Sequence, residues 1–247
     1  MKDNFSGHSK DYAQYRPKYP PEIYNWLKQN LNGFETAWDC GTGNGQVAAE
    51  LAEFFERVEA TDISSNQIKQ AIKKSNINYS VQPAEQTNFK NHQFDLIICA
   101  QAVHWFNFDK FYSEVKRCLK PDGLIVIMGY GLFRSVSEVN QIIQEFYDGI
   151  IGSYWDEERK YLDEEYKTIP FPFQSIKTPG FVRAYEWDID HFLGYLRTWS
   201  AVKHYERQHG EDPVALVEDQ LRKAFGDKNE INFPILFKVG KLEEADQ

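Results

Sequence analysis

Three glycines stand at positions 41, 43 and 45, just beyond Asp39, in the stretch AWDCGTGNGQVAAEL that covers residues 37–51. Between an apolar run and an amphipathic one, glycines so spaced let the backbone turn through positive φ and approach a ligand closely, as a nucleotide-like cofactor requires. The nearby carboxylates narrow the choice. Asp39 would repel a pyrophosphate in a partly desolvated site, so the ligand end at this loop is expected to be cationic. Asp62 follows Gly41 by 21 residues, close to the ~20 at which a carboxylate accepts ribose hydroxyls.

A nicotinamide fingerprint would place Gly or Ala at position 46, where this chain has Gln46. S-adenosylmethionine fits better, because it has an adenosine but carries an ammonium and a sulfonium where a dinucleotide carries phosphates. The plainer alternative is that Asp39 caps a helix and Asp62 is a turn residue. His104 is the one side chain placed to act as a general base, after a buried apolar run where ligands of parallel sheets sit. The same stretch, HWF, can equally anchor the following helix to the sheet.

The chain resembles the class I S-adenosylmethionine-dependent methyltransferases, strongly over residues 5–129. WDCGTGNG matches the family's first motif, ATDISSNQI its ribose carboxylate, PAEQTNF its adenine segment and AQAVHWF the segment after the fourth strand. YAQYRPKYP at 12–20, together with AQAVHWF, is similar to the branch that includes trans-aconitate methyltransferase. The resemblance implies that Gly41, Gly43 and Gly45 pass under the methionine part, with Asp39 balancing its ammonium. It further implies Asp62 and Ile63 at the ribose, Ala84 and Glu85 along the adenine, and Gln101 and Ala102 beside the sulfonium. Tyr12 and Arg16 would fold over the cofactor, a guanidinium being suited to grip a carboxylate through two parallel hydrogen bonds.

Around these residues, short apolar runs alternate with amphipathic ones, the pattern of βαβ units and a parallel sheet. Strands are expected at 36–40, 57–61, 78–82, 94–100 and 124–130, and helices at 21–30, 44–55, from the cap residue Ser64, and at 108–119, with Pro121-Asp122-Gly123 a turn. Residues 136–166 read as two helices broken near 149–153. An extended run near 181–187, helices at 188–208 and 213–225, and a last strand INFPILFKVG complete the chain. The expected fold is α/β, a Rossmann-like, doubly wound, mostly parallel sheet of seven strands with an antiparallel last strand and a helical cap inserted after the fifth. Its parts would be a lid and helix (1–30), a cofactor-binding core (31–130), a cap (131–180) and a completion of the sheet (181–247).

The segment from Tyr130 to Trp199 is rich in aromatics, among them Phe133, Phe146, Tyr147, Tyr154, Trp155 and Tyr161, interleaved with Arg134, Arg159 and Arg183. As a cap it would enclose a small apolar or carboxylate-bearing acceptor. Trp105, Tyr130 and Trp199 are its expected walls, the last in LRTWSAV.

With 247 residues, 37 acidic and 28 basic side chains and a formal charge of −9, the chain suits a small-molecule partner rather than a polyanion. The three cysteines form no CxxC pair, and the histidines show no ligand spacing, so neither a disulfide framework nor a metal site is expected. No signal peptide or spanning segment is visible, which reads as a cytoplasmic protein without a membrane partner; the oligomeric state is not set. The expected activity is methylation of a small molecule, an oxygen of a carboxylate first. A phenolic or carbon-acid acceptor, a non-catalytic cofactor-binding protein and a nicotinamide oxidoreductase are the alternatives.

Overall fold

A computed structural model describes residues 15–243. Helix α1 (Pro21–Asn30) starts on Pro21, whose missing N–H suits a first turn, and buries Ile23, Tyr24 and Leu27. Five parallel strands follow: β1 (Thr36–Cys40), β2 (Arg57–Asp62), β3 (Ile77–Val81), β4 (Phe94–Ala100) and β5 (Leu119–Tyr130). They are joined by α2 (Gln46–Leu51), α3 (Ser65–Gln70) and α4 (Phe108–Cys118), among other connections. These strands lie in the order β3-β2-β1-β4-β5, with antiparallel strands of the C-terminal half beyond β5. The order reverses between β1 and β4, and the crevice at their carboxyl ends is where open α/β sheets hold ligands.

Both faces of β1, β4 and the later part of β5 are buried, as side-chain alternation in a sandwiched sheet demands. Ala37, Leu96, Ile98, Val126 and Met128 meet α1 and α2 on one side, while Trp38, Ile97, Ile125 and Ile127 meet α4 on the other. A third core, of Phe133, Phe146, Phe192, Trp199 and Phe233 among others, underlies the C-terminal half.

That half contains α5 (Ser137–Glu145), α6 (Lys160–Asp163), β6 (Gln174–Ile176), β7 (Phe181–Asp188), α7 (Ile189–Leu196), α8 (Ser200–His209), α9 (Ala215–Phe225) and the antiparallel β8 (Lys228–Lys241). The sheet has eight strands rather than seven. β6 pairs with the end of β8 at residues 239–241, and β7 with its start at residues 228–235, so the two lie end to end in the place of one strand.

Other departures have local causes. The second expected cap helix, 154–166, is replaced by short 3-10 turns and the single turn of α6, while a π turn at Phe146–Ile150 ends the first near the expected break, where Gly149 and Gly152 favour no regular helix. The expected helix 188–208 is two, because the chain turns at 197–199 to bury Trp199 at 2% exposure. Pro121-Asp122-Gly123 belongs to β5 as an irregularity between the Phe94–Leu119 and Leu96–Leu124 pairs. The helix after the glycine loop is six residues long, shorter than expected. Among the described residues no helix is long and apolar enough to cross a membrane, and no three His, Cys, Asp or Glu side chains group as metal ligands.

Candidate active site

A cleft of about 350 Å3 lies at the switch point, lined by the β1–α2 loop, the end of β2, the β4–α4 connection and residues 16–19. Gly41, Gly43 and Gly45 have φ of 71°, 56° and 80°. At Gly43 a Cβ would meet nothing within 4 Å, so this side of the loop is open to the cleft. Gly45 does not line it: it caps α2 and backs onto Tyr79.

Asp39 is 1% exposed. Its Oδ2 accepts hydrogen bonds from Thr42 Oγ1 at 2.5 Å and from the Ala48 amide of α2 at 2.9 Å. Its Oδ1 is buried and unpartnered among the described residues. The helix-capping role and an unused carboxylate oxygen beside the cleft thus coexist. Burial pushes the Asp39 carboxyl up to about 7, against the pull of those two hydrogen bonds.

Asp62 Oδ2 accepts from the Gly43 amide at 2.9 Å and Oδ1 from the Ser64 amide at 2.8 Å. Through both carboxylate oxygens the side chain fixes the loop, and it lines the cleft. Ile63, Ala84 and Ala102 line the same cleft. Glu85 does not: its Oε1 accepts from the Asn107 amide at the start of α4, and Gln82 occupies the wall instead.

A smaller cavity of about 50 Å3 shares Arg16, Gln101 and Trp105 with the cleft and adds His104, Trp155, Asp156, Arg159, Leu162 and Ser200. Arg16 donates to the Tyr130 hydroxyl at 3.3 Å and to the Thr198 carbonyl at 3.0 Å, which ties the N-terminal residues to the C-terminal half. Tyr12 lies outside the described residues. Tyr130 lines the cleft, whereas Trp199 lines neither cavity. Its indole is packed among Phe133, Phe146, Tyr147, Trp155 and Tyr195, while the neighbouring Ser200 lines the smaller cavity and the Thr198 carbonyl accepts from Arg16.

His104 is 6% exposed, with Nδ1 3.1 Å from the Tyr166 hydroxyl. Burial, then the nearby Arg159 charge, push its imidazole down to about 3. Arg159 Nε donates to the Tyr147 hydroxyl at 2.7 Å and to Asp163 at 3.1 Å, and its guanidinium lies 4.6 Å from the centre of the Trp155 ring. Gln101 has φ of 54°, in the left-handed region that strains a non-glycine residue. Its amide nitrogen donates to the Tyr130 carbonyl. Gly129 is approached by Gln101 Oε1 and the Tyr166 ring, 2.8 and 2.9 Å from where a Cβ would stand. Tyr166 is a site residue that sequence reasoning misses, since no motif surrounds it.

The sequence profile of the methyltransferase-domain family matches residues 38–127. A Dictyostelium discoideum protein named as a methyltransferase is 32% identical over 98% of this chain and 95% of its own length. The chain belongs to the S-adenosylmethionine-dependent methyltransferases. A solved Anaeromyxobacter dehalogenans protein described as a type II methyltransferase is 38% identical, superposes with a TM-score of 0.85, and is covered completely by 93% of this enzyme. A Haemonchus contortus phosphoethanolamine N-methyltransferase, solved with S-adenosylhomocysteine, shares the fold at a TM-score of 0.50 and 18% identity, over 96% of this chain and 58% of that one.

The cofactor is S-adenosylmethionine, and the cleft's chemistry fits it. Asp39, Glu50 and Asp62 oppose Arg16 and Lys18 around the cleft, a mixed set suited to a ligand with an ammonium, a sulfonium and a carboxylate. A dinucleotide pyrophosphate would instead meet the buried Asp39 carboxyl.

Proposed function

We propose that this methyltransferase acts on a small organic acid and methylates an oxygen of its carboxylate. One observation carries the reading: two guanidiniums, Arg16 and Arg159, border the small cavity beside the cofactor cleft together with an imidazole too weakly basic to take a proton. Efficient general bases have a pKa near the working pH, and His104, pushed down to about 3, is far from it. A phenol or carbon acid would find no imidazole able to take its proton here. A carboxylate is already ionised and needs none.

The cofactor supplies a methyl carbon activated by positive sulfur, so that one O–C bond forms with the carboxylate's electron pair as the S–C bond breaks, and no proton moves. The protein's part is to align the two partners and exclude water, effects that in well-oriented systems lower barriers by roughly 7 to 11 kcal/mol. In this reading Asp39 Oδ1 takes the cofactor's ammonium, Asp62 its ribose hydroxyls, and Arg16 its carboxylate or the acceptor's. Residues 131–180 act as the cap through Trp155, Arg159 and Leu162.

The test is incubation with methyl-labelled S-adenosylmethionine and a panel of dicarboxylates, tricarboxylates, phenols and fatty acids. The expected product is a methyl ester that releases labelled methanol in mild base. Label that survives such treatment, in an ether, amine or carbon-bound methyl, would overturn the proposal.

A further inference from the structure

We infer that Tyr166 locks His104 in one tautomer, with its proton on Nε2, so that His104 acts as a hydrogen-bond donor to the acceptor's carboxylate. This rests on the small cavity being the acceptor side, as proposed above. The tyrosine hydroxyl is fully buried, and among the described residues its one hydrogen-bond partner is His104 Nδ1. Leaving a buried O–H without an acceptor is costly, so the hydroxyl donates and Nδ1 accepts. Burial holds the tyrosine well above its ordinary pKa, which keeps that proton in place. A neutral imidazole that accepts at one nitrogen carries its hydrogen at the other. Nε2, with no partner among the described residues, is then the ring's donor in the cavity that His104 lines.

The backbone supports a dedicated position for Tyr166. Glu165 and Tyr166 have φ of 54° and 58°, two successive non-glycine residues in the left-handed region. Such strain persists only where the surroundings over-determine it, and it gathers at functional positions. Here the Tyr166 amide donates to the Tyr161 carbonyl at 2.7 Å, and the Tyr166 carbonyl accepts from Lys238 Nζ at 2.8 Å. Gly129 leaves room for the ring, since a Cβ there would lie 3.0 Å from the tyrosine hydroxyl oxygen.

A second donor faces the same task. Trp155 Nε1 is buried without a partner among the described residues and belongs to a residue of the cavity wall. With the Nε edge of Arg159 committed to Tyr147 and Asp163, its terminal nitrogens complete a set of N–H groups suited to an anion. Asp156, also in the wall, lies 4.0 Å from His204 Nε2. The volume of about 50 Å3 has room for roughly three or four waters, hence for a carboxylate on a short stem.

The experiment uses the full chain with S-adenosylhomocysteine bound. Long-range proton–nitrogen correlation spectra of protein labelled with 15N at histidine and tryptophan should give His104 as the Nε2–H tautomer from about pH 6 to 8. Acetate should shift the Nε2 and Trp155 Nε1 resonances, and acetamide should not. His104→Gln, whose amide nitrogen stands near the place of Nε2, should bind acetate within about threefold of the parent, whereas His104→Asn and Tyr166→Phe should bind it about tenfold more weakly or worse. All three should bind S-adenosylhomocysteine as the parent does.

A proton on Nδ1 in the parent, as when Tyr166 donates to Gln101 Oε1 instead, would overturn the inference. So would an imidazolium, or equal losses for His104→Gln and His104→Asn. If the tautomer and the acetate responses hold but no carboxylic acid is esterified, the donor role stands and the proposed reaction falls. If esters form while the proton sits on Nδ1, the reaction stands and the donor role falls.

Discussion

The cofactor cleft and the smaller cavity, the proposed acceptor side, meet at Arg16, Gln101 and Trp105, yet they are built in different ways. The cleft is made chiefly of backbone: a strand, a glycine loop and a helix start, with Asp62 accepting from the Gly43 amide and Asp39 from the Ala48 amide. The cavity is made of side chains that reach in from positions as distant as 16, 101, 159 and 200. A backbone site depends on conformation and is lost when a few φ angles or an open space are lost. A side-chain site is lost piecemeal, one donor at a time.

The sharpest test of that contrast is Gly43→Val. A left-handed φ of 56° costs an ordinary residue about 1–2 kcal/mol, a drop of several degrees in melting temperature, and the new methyls enter the cleft. Affinity for S-adenosylhomocysteine should fall roughly 100-fold or more, measured by calorimetry on folded protein. Near-parental affinity would mean that the loop does not carry the cofactor.

Asp62→Ala comes next. Loss of a charged acceptor for ribose hydroxyls should weaken the cofactor by roughly 2 to 3 kcal/mol, about 30- to 150-fold; unchanged binding would reduce Asp62 to a loop brace.

Arg159→Leu should act on the other site alone. The KM of a carboxylic acid substrate should rise about 10- to 30-fold, with S-adenosylhomocysteine affinity within about threefold of the parent. Equal damage to both would show that the two regions are one unit.

The smallest effect concerns pH. With its carboxyl pushed up to about 7 by burial, Asp39 is largely protonated in the free enzyme below that pH, and an ammonium beside it favours the charged form. Cofactor binding should therefore release a proton and weaken as pH falls below about 7, by at most about tenfold per unit. Asp39→Asn should flatten the profile, and a profile that stays steep in that variant would move the titration elsewhere.

The free protein's stability depends on the same carboxyl with the opposite sign. Asp39 holds a proton in the folded state that the unfolded chain gives up between its ordinary 3.8 and about 7, so its contribution declines as pH rises through that window. His104 is the reverse. The folded state refuses a proton that the unfolded chain takes below 6.5, and its contribution declines as pH falls from there towards about 3.

The same division decides how much is legible in the sequence. Parallel strands read as apolar runs, and Ser64 is visible as the cap of α3, where its Oγ accepts from the Gln67 amide. Gly41, Gly43, Asp39 and Asp62 are legible because their chemistry lies within short stretches of chain. Trp155 and Arg159 stand out only as members of an aromatic and arginine-rich segment, since the short 3-10 turns that carry them have no hydrophobic period to read. Tyr166 is illegible, because its position depends on two left-handed residues that no glycine or asparagine announces. Trp199 lies beneath the wall of the smaller cavity and not in it, and an aromatic beside a cavity and one beneath it look alike in one dimension. Glu85 departs from expectation for a related reason, as a carboxylate one helix start away finds the Asn107 amide.

Gly129 gives the two sites a shared border one hydrogen atom wide. On one side of its missing Cβ lies Gln101, which borders both cavities, and on the other Tyr166, which braces the acceptor side. A designer who wished to graft a new acceptor pocket onto this cofactor scaffold could not treat the halves as interchangeable modules. Residues 101, 129 and 166 would have to travel together, because a single added methyl at 129 would press on the side chains of both neighbours.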